Sequence, residues 1–286
     1  MTSFDPPPAP VTAVVDRALA EDAPWGDIST DAAIPADASA SARLVSRADG
    51  VFAGGLALEI AFTRADARTR VARLVDDGSP ITSGMVVAEI SGPARGILTG
   101  ERVALNLAQR LSGVATLTRR YVDEVAGTGA RIADTRKTTP GLRLLERAAV
   151  RAGGARNHRF SLSDAVMLKD NHLAVLTAQG LDLTEAIRAV RARIPHTMHL
   201  EVEVDGLDQL PAVIAGAPDT ILLDNFPLHD LLTAIALIGG RAIVEASGGV
   251  SLETVREIAE TGVDVISVGA LTHSAPALDL GLDIEL

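Results

Sequence analysis

Residues 199–226 read HLEVEVDGLDQLPAVIAGAPDTILLDNF. HLEVEV and TILLDNF are short apolar runs rich in β-branched residues, with a helical pattern between them. The unit recurs on both sides. RIADTR, AVMLKD, AIVEASG and VDVISVGA complete six strand–helix units over about 131–270. Parallel strands need crossover connections, so this alternation predicts a parallel sheet. A doubly wound sheet would satisfy the pattern. A barrel satisfies it better, because polar residues recur where each run ends. The first run leads into Arg136 and Lys137, and the second ends at Lys169 and Asp170. The third carries Glu201 and Glu203, and the fourth ends at Asp224 and Asn225. The last two run into Ser247–Gly248–Gly249 and Ser267–Val268–Gly269–Ala270. In β/α barrels the chemistry sits on that C-terminal rim. Glu201 and Glu203 share a strand face, and two buried carboxylates need a cation or another partner.

The preceding region differs. ARLVSRADGVFAGG, RVARLVDDGSPI and MVVAEISGPARGIL are short strand patterns broken by glycine, which suggest a small α/β sandwich. A long helix is expected from about Glu101 to Ala126, burying Val103, Leu107, Leu111 and Val114. Arg102 then falls in its first turn, where the helix dipole disfavours a cation and an anionic ligand would hold it. Thr139 and Pro140 look like the start of a further helix that ends at Gly153 and Gly154. Ser251 looks like the cap of another that stops at Gly262. The leader MTSFDPPPAP reads as disordered or docked, without the pattern of a signal peptide.

Composition narrows the chemistry. There is no cysteine, which excludes disulfides, thiolate metal sites and cysteine nucleophiles. No run approaches the ~20 apolar residues of a membrane helix, so no membrane partner and a cytoplasmic location are expected. A net charge of -11 argues against nucleic acid. Within this acidic chain, residues 131–169 hold nine basic residues against three acidic ones, and 170–240 reverse the balance. Such neighbours suit an anionic ligand with a metal ion. Arg143, Arg147 and Arg151 recur every four residues and read as one exposed helix face. The chain has two lysines, Lys137 and Lys169, among 26 basic side chains. Both fall in the basic segment, where a compact ammonium serves and a broad guanidinium does not.

These residues lie in longer motifs. EDAPWGDIST, GERVALNLAQRLSGVAT, DTRKTTPGLRLLERAAVRAGGARNHRFSLSDAVMLKDNH, EVEV, LLDNF, EASGGV and GALTHSAPALDLGLDI follow in order along the chain. In this the sequence resembles the quinolinate phosphoribosyltransferase family, also called nicotinate-nucleotide pyrophosphorylase (carboxylating). It departs from the family pattern at Ala155 and Gly281. The resemblance implies an N-terminal sandwich domain over residues 1–112 and an incomplete six-strand β/α barrel over 113–274, with the tail 275–286 packed back on the sandwich. It also implies a homodimer with shared active sites, or a higher oligomer built on it. The family's reaction joins quinolinate to 5-phosphoribosyl-1-pyrophosphate with Mg2+, giving nicotinate mononucleotide, pyrophosphate and CO2. That is a step of de novo NAD biosynthesis.

The candidate residues suit that chemistry. Guanidinium forks match carboxylates, so Arg136 and Arg159, with His158, are expected to grip the planar dicarboxylate. The resemblance adds Thr138, and Arg102 from the neighbouring subunit. Mg2+ binds through one or two carboxylates plus substrate phosphates, a role for Glu203 and Asp224, directly or through water. Backbone N–H groups of Ser247, Gly248, Gly249, Val268, Gly269 and Ala270 would take the 5-phosphate. Lys137 would stabilise the departing pyrophosphate and Lys169 the carbanion left by decarboxylation. Glu201 reads as a supporting group and His172 as one that fixes its loop. The general acid is not identified. Rival readings are a paralogue acting on another acceptor, a Schiff-base lyase using Lys169, and a phosphometabolite-binding protein without catalysis.

Overall fold

The computed structural model describes residues 6–178 and 180–285. These form two compact units that do not follow chain order. One comprises the residues up to Arg119, Lys137–Ala155 and the residues from Leu271 on; the other comprises Arg120–Arg136 and Arg156–Ala270.

The second unit is built on six parallel strands: β1 (Arg131–Ala133), β2 (Val166–Leu168), β3 (Leu200–Val204), β4 (Thr220–Asp224), β5 (Ile243–Ser247) and β6 (Val265–Ser267). Their order is β1-β6-β5-β4-β3-β2. Each strand from β2 to β6 lies beside its chain neighbour, and β6 returns to β1. The ring is therefore open between β1 and β2, as an incomplete barrel. Main chain at Arg156 covers the open edge of β1: it bridges Ala133 in parallel, with Arg156 N–H donating to Ile132 O at 2.9 Å. The central strands carry Val202, Val204, Ile221 and Leu223 outward in register, all buried at or below 2 % exposure. That leaves the alternate residues facing inward.

The first unit holds a four-stranded antiparallel sheet in the order Leu280–Glu285, Ser39–Ser46, Val86–Pro93, Arg70–Arg73. One face buries Ala42, Leu44, Ala88 and Ile90. The other is solvated and carries Arg43, which pairs with Glu285 at 2.8 Å. One-sided burial is characteristic of an antiparallel sheet.

Several local expectations change. The long helix runs from Ala94 to Glu124, so Arg102 lies about two turns inside it and the dipole argument lapses. Gly96 and Gly100 do not break it. A Cβ on Gly96 would lie 2.4 Å from Asp66 Cβ, and one on Gly100 would lie 3.1 Å from the Phe62 ring. These glycines admit the helix Gly55–Ala65 at close range. The next helix starts at Arg143, not Pro140, and Thr139 does not cap it. Instead the Thr139 N–H and hydroxyl donate to the Glu146 carboxylate at 3.0 and 2.7 Å. Its arginines do not share an exposed face, since Arg147 is buried. Thr254, not Ser251, precedes the helix Val255–Glu260. In the leader, Pro8 opens a helix to Asp22, with proline favoured at such a start; residues 1–5 lie outside the described residues.

Candidate active site

Within the barrel unit the register sets one polar inner face. Glu203 pairs with Leu222, Leu222 with Glu245 and Asp224 with Ser247. Met167 pairs with Glu201, which places Lys169, just past β2, opposite Glu203. The Lys169 ammonium donates to Glu203 Oε2, and Asp170 is not its partner. The Lys169 N–H donates to His172 Nδ1 at 3.0 Å, so His172 fixes the start of the helix that follows. Asp170, Glu203, Asp205 and Asp224 line a cavity of about 360 Å³. Asp224 Oδ2 accepts from Asn225 Nδ2 at 2.7 Å.

The segment Arg156–Arg159 brings the cations in. Asp134, fully buried, accepts from the His158 N–H and from Asn157 Nδ2, both at 2.7 Å. That carboxylate ties the segment to the end of β1. Arg159 Nη1 donates to Ala165 O at 3.0 Å. Burial and the neighbouring Arg136 guanidinium together hold the Arg159 pKa below the usual arginine value, against the pull of Glu201 and Asp164. Two cations that repel in a partly desolvated place form a receptive site for an anion.

His158 sits between two glutamates. Its Nε2 lies 3.0 Å from Glu201 Oε2 and 3.5 Å from Glu245 Oε1. Both carboxylates are buried, at 3 % and 4 % exposure. Burial opposes charge on the imidazole, but the Glu201, Glu245 and Asp134 carboxylates outweigh it and lift its pKa. Burial and Glu201 push Glu245 up to about 7. Among the described residues, His158, Glu201 and Glu245 are the group with metal-ligand spacing. The Arg159 N–H donates to His158 Nδ1 at 2.8 Å, however. In the neutral ring that nitrogen is the acceptor and Nε2 carries the proton, and in the charged ring both carry one, so neither form offers Nε2 as a lone pair for a metal. The cluster holds protons. Both ring nitrogens are engaged within the protein, and His158 lines a cavity of about 360 Å³ together with Arg156 and Arg159.

At the end of β5, Gly248 and Gly249 both have positive φ, at 91° and 61°. A Cβ on Gly248 would meet Asn225 Oδ1 at 2.2 Å. Turn backbone of this kind presents N–H groups to an anion. The Val268 N–H donates to Ala133 O at 2.9 Å, which removes it from the set of phosphate donors. Gly269 and Ala270 follow it, with Ala270 opening a short helix to His273.

Arg102, Lys137 and Thr138 belong to the other unit. Arg102 and Lys137 are exposed there. Thr138 Oγ1 accepts from Arg143 Nε at 3.0 Å. Sequence reasoning passed over Glu245, Asp134 and Glu146. For Glu245 a signal existed: it stands two residues before Ser247, on the same strand face.

The model of the quinolinate phosphoribosyl transferase N-terminal domain matches residues 27–112, and that of its C-terminal domain matches 114–283. The nicotinate-nucleotide pyrophosphorylase [carboxylating] of Mycobacterium leprae is 45% identical over 279 residues, covering 94% of this chain and 95% of the relative. A probable enzyme of the same name from Bacillus subtilis is 42% identical, covering 93% and 90%. The structure of the nicotinate-nucleotide pyrophosphorylase from Francisella tularensis superposes with a TM-score of 0.91 at 34% identity, over 98% of both chains. With both domain models matched in order and relatives aligned nearly end to end, the chain belongs to the quinolinate phosphoribosyltransferase family.

Proposed function

We propose that this protein transfers the phosphoribosyl group of 5-phosphoribosyl-1-pyrophosphate to quinolinate with decarboxylation. The products are nicotinate mononucleotide, pyrophosphate and CO2, so the reaction feeds NAD biosynthesis. The reading is carried by the match of both domain models in order, and within the site it is supported by Arg136 and Arg159, whose like charges oppose each other. A planar acid with adjacent carboxylates relieves that repulsion through charge-assisted bonds. His158 and Asp134 set the position of Arg159 and support its grip.

The pyridine nitrogen attacks the anomeric carbon, and the C–O bond to pyrophosphate breaks with its electron pair on the leaving group. Lys137 is assigned to that developing charge. The bond to the carboxylate beside the ring nitrogen then breaks, leaving its pair on carbon next to a pyridinium. Lys169 is assigned to stabilising that pair until a proton arrives. The glycine turn at Gly248–Gly249 is assigned to the 5-phosphate, with Ser247, Gly269 and Ala270 beside it. The carboxylates of Glu203 and Asp224, in a cavity that also holds Asp170 and Asp205, are hard oxygen donors that fit Mg2+. When bound, Mg2+ would neutralise pyrophosphate oxygens.

The proposal includes a cytoplasmic homodimer in which Arg102 serves the neighbouring subunit's acid site. The support is the family resemblance. Among the described residues, no helix is long and apolar enough to cross a membrane. Mixed dimers of Arg102→Ala with an inactive complementing variant should regain activity. A Schiff-base role for Lys169 is disfavoured, because an ammonium bonded to Glu203 is a cation and not a free amine. The deciding assay is CO2 release from carboxyl-labelled quinolinate with and without phosphoribosyl pyrophosphate and Mg2+. Release that ignores phosphoribosyl pyrophosphate, or no release at all, would refute the reading.

A further inference from the structure

We propose that Thr272, Arg110 and Glu146 are positioning residues that fix the main chain beneath Lys137, and that the enzyme's hold on the anionic leaving group depends on them. The inference rests on the role assigned to Lys137 above. All of these residues belong to one compact unit.

Glu146 has no solvent exposure. Its Oε1 accepts from Arg110 Nη2 at 2.8 Å, Arg110 Nε at 3.2 Å and the Thr139 hydroxyl at 2.7 Å. Its Oε2 accepts the Thr139 N–H at 3.0 Å. Arg110 reaches on to the turn after Ala270, where Nη1 donates to Ala275 O at 2.8 Å and Nη2 to Thr272 O. Thr272, also fully buried, closes the circuit by donating its hydroxyl to the Lys137 carbonyl at 2.8 Å. Arg143 Nε binds the Thr138 hydroxyl at 3.0 Å. Residues 137, 138 and 139 are thus each held by a different group.

The network sits in an interior where apolar side chains of similar volume would stabilise the fold as well or better. Its specific product is a fixed loop. The Lys137 side chain stays exposed on that fixed base. A flexible four-carbon stem reaches its target effectively when its root does not wander, and a displacement of about 1 Å in such a group costs on the order of 10²-fold.

The test uses the full chain in its native assembly. Thr272→Val deletes the hydroxyl that holds the Lys137 carbonyl. Loss of one such bond predicts a rise of about tenfold in KM for phosphoribosyl pyrophosphate, with quinolinate binding changed less than about twofold. Thr272→Ser should restore the wild-type KM. In a double-mutant cycle with Lys137→Ala, Thr272→Val should add nothing, because its effect passes through Lys137. Additive effects, or an unchanged KM, overturn the inference. If Thr272→Val fails to fold, Thr139→Val, which removes the hydroxyl held by Glu146, carries the same two expectations. Wild-type CO2 release separates the two levels. Absent release rejects the proposed reaction, whereas normal release with additive variants rejects the positioning network alone.

Discussion

Lys169 and Glu203 meet across neighbouring parallel strands, because the register that pairs Met167 with Glu201 sets the next inward residues opposite each other. The pair is partly exposed, with 42 % of the lysine side chain accessible, so it contributes at most about 1 kcal/mol to stability. A structural ion pair and a catalytic cation therefore predict different outcomes. Lys169→Ala should leave the melting temperature within a few degrees of wild type. Its CO2 release should fall by about 10³-fold, the scale of losing electrostatic stabilisation of an anionic intermediate. Near-normal release would remove Lys169 from the mechanism.

Arg136 and Arg159 offer a sharper test of the acid site. Lysine keeps the charge but loses the planar fork. Arg159→Lys should raise the KM for quinolinate by about tenfold or more while leaving that for phosphoribosyl pyrophosphate near wild type. If both constants rise together, the substitution has disturbed the Arg156–Arg159 segment and not a carboxylate grip. Circular dichroism and the Ala165 contact region, probed by hydrogen exchange, would reveal that.

The six strands are legible because each is an apolar run bounded by polar residues, and the period of two places Glu201 and Glu203 on one face. What sequence hid was non-local. The long helix, expected from about Glu101, continues back through Gly96 and Gly100, whose lack of a Cβ admits Asp66 and Phe62, some thirty or more residues earlier. That earlier start takes Arg102 away from the terminus at which the sequence places it. Nothing in the sequence marks Glu146, because its role requires Arg110 and Thr139 together. No sequence pattern reveals that the Arg159 N–H points at His158 Nδ1.

Glu245 makes the stability of the protein depend on pH in a definite direction. Its pKa, raised to about 7 by burial and by Glu201, means the folded state binds a proton that the unfolded state releases at lower pH. Stability then falls as pH rises from the ordinary carboxylate range through about 7. The raised pKa of His158 acts with the same sign from neutral pH upward. Facing Glu245 are Glu201, His158 and the Ser267 hydroxyl. Glu245→Gln mimics the protonated acid and should flatten this decline. Between pH 5 and pH 8 its melting temperature should drop less than that of wild type, by about 2 °C or more. Parallel curves for the two proteins would show that Glu245 does not hold the proton.

Gly248 and Gly262 separate backbone strain from site geometry. Both have positive φ, 91° and 95°, so alanine is strained at either position. Around Gly262 there is open space, whereas a Cβ on Gly248 would press on Asn225 Oδ1 at 2.2 Å and on Asn225 N at 2.8 Å. Asn225 is itself left-handed, with φ 56°, and its N–H donates to Ser247 O at 2.8 Å. It has little room to retreat. Gly262→Ala should cost about 1 kcal/mol in urea unfolding and leave both Michaelis constants alone. Gly248→Ala should cost about 1–3 kcal/mol more, from the added clash. It should also raise the KM for phosphoribosyl pyrophosphate, because the turn assigned to the 5-phosphate must open to admit the methyl group. If Gly248→Ala loses stability yet binds phosphoribosyl pyrophosphate as wild type does, the turn is a plain strand–helix connection and the phosphate is held elsewhere.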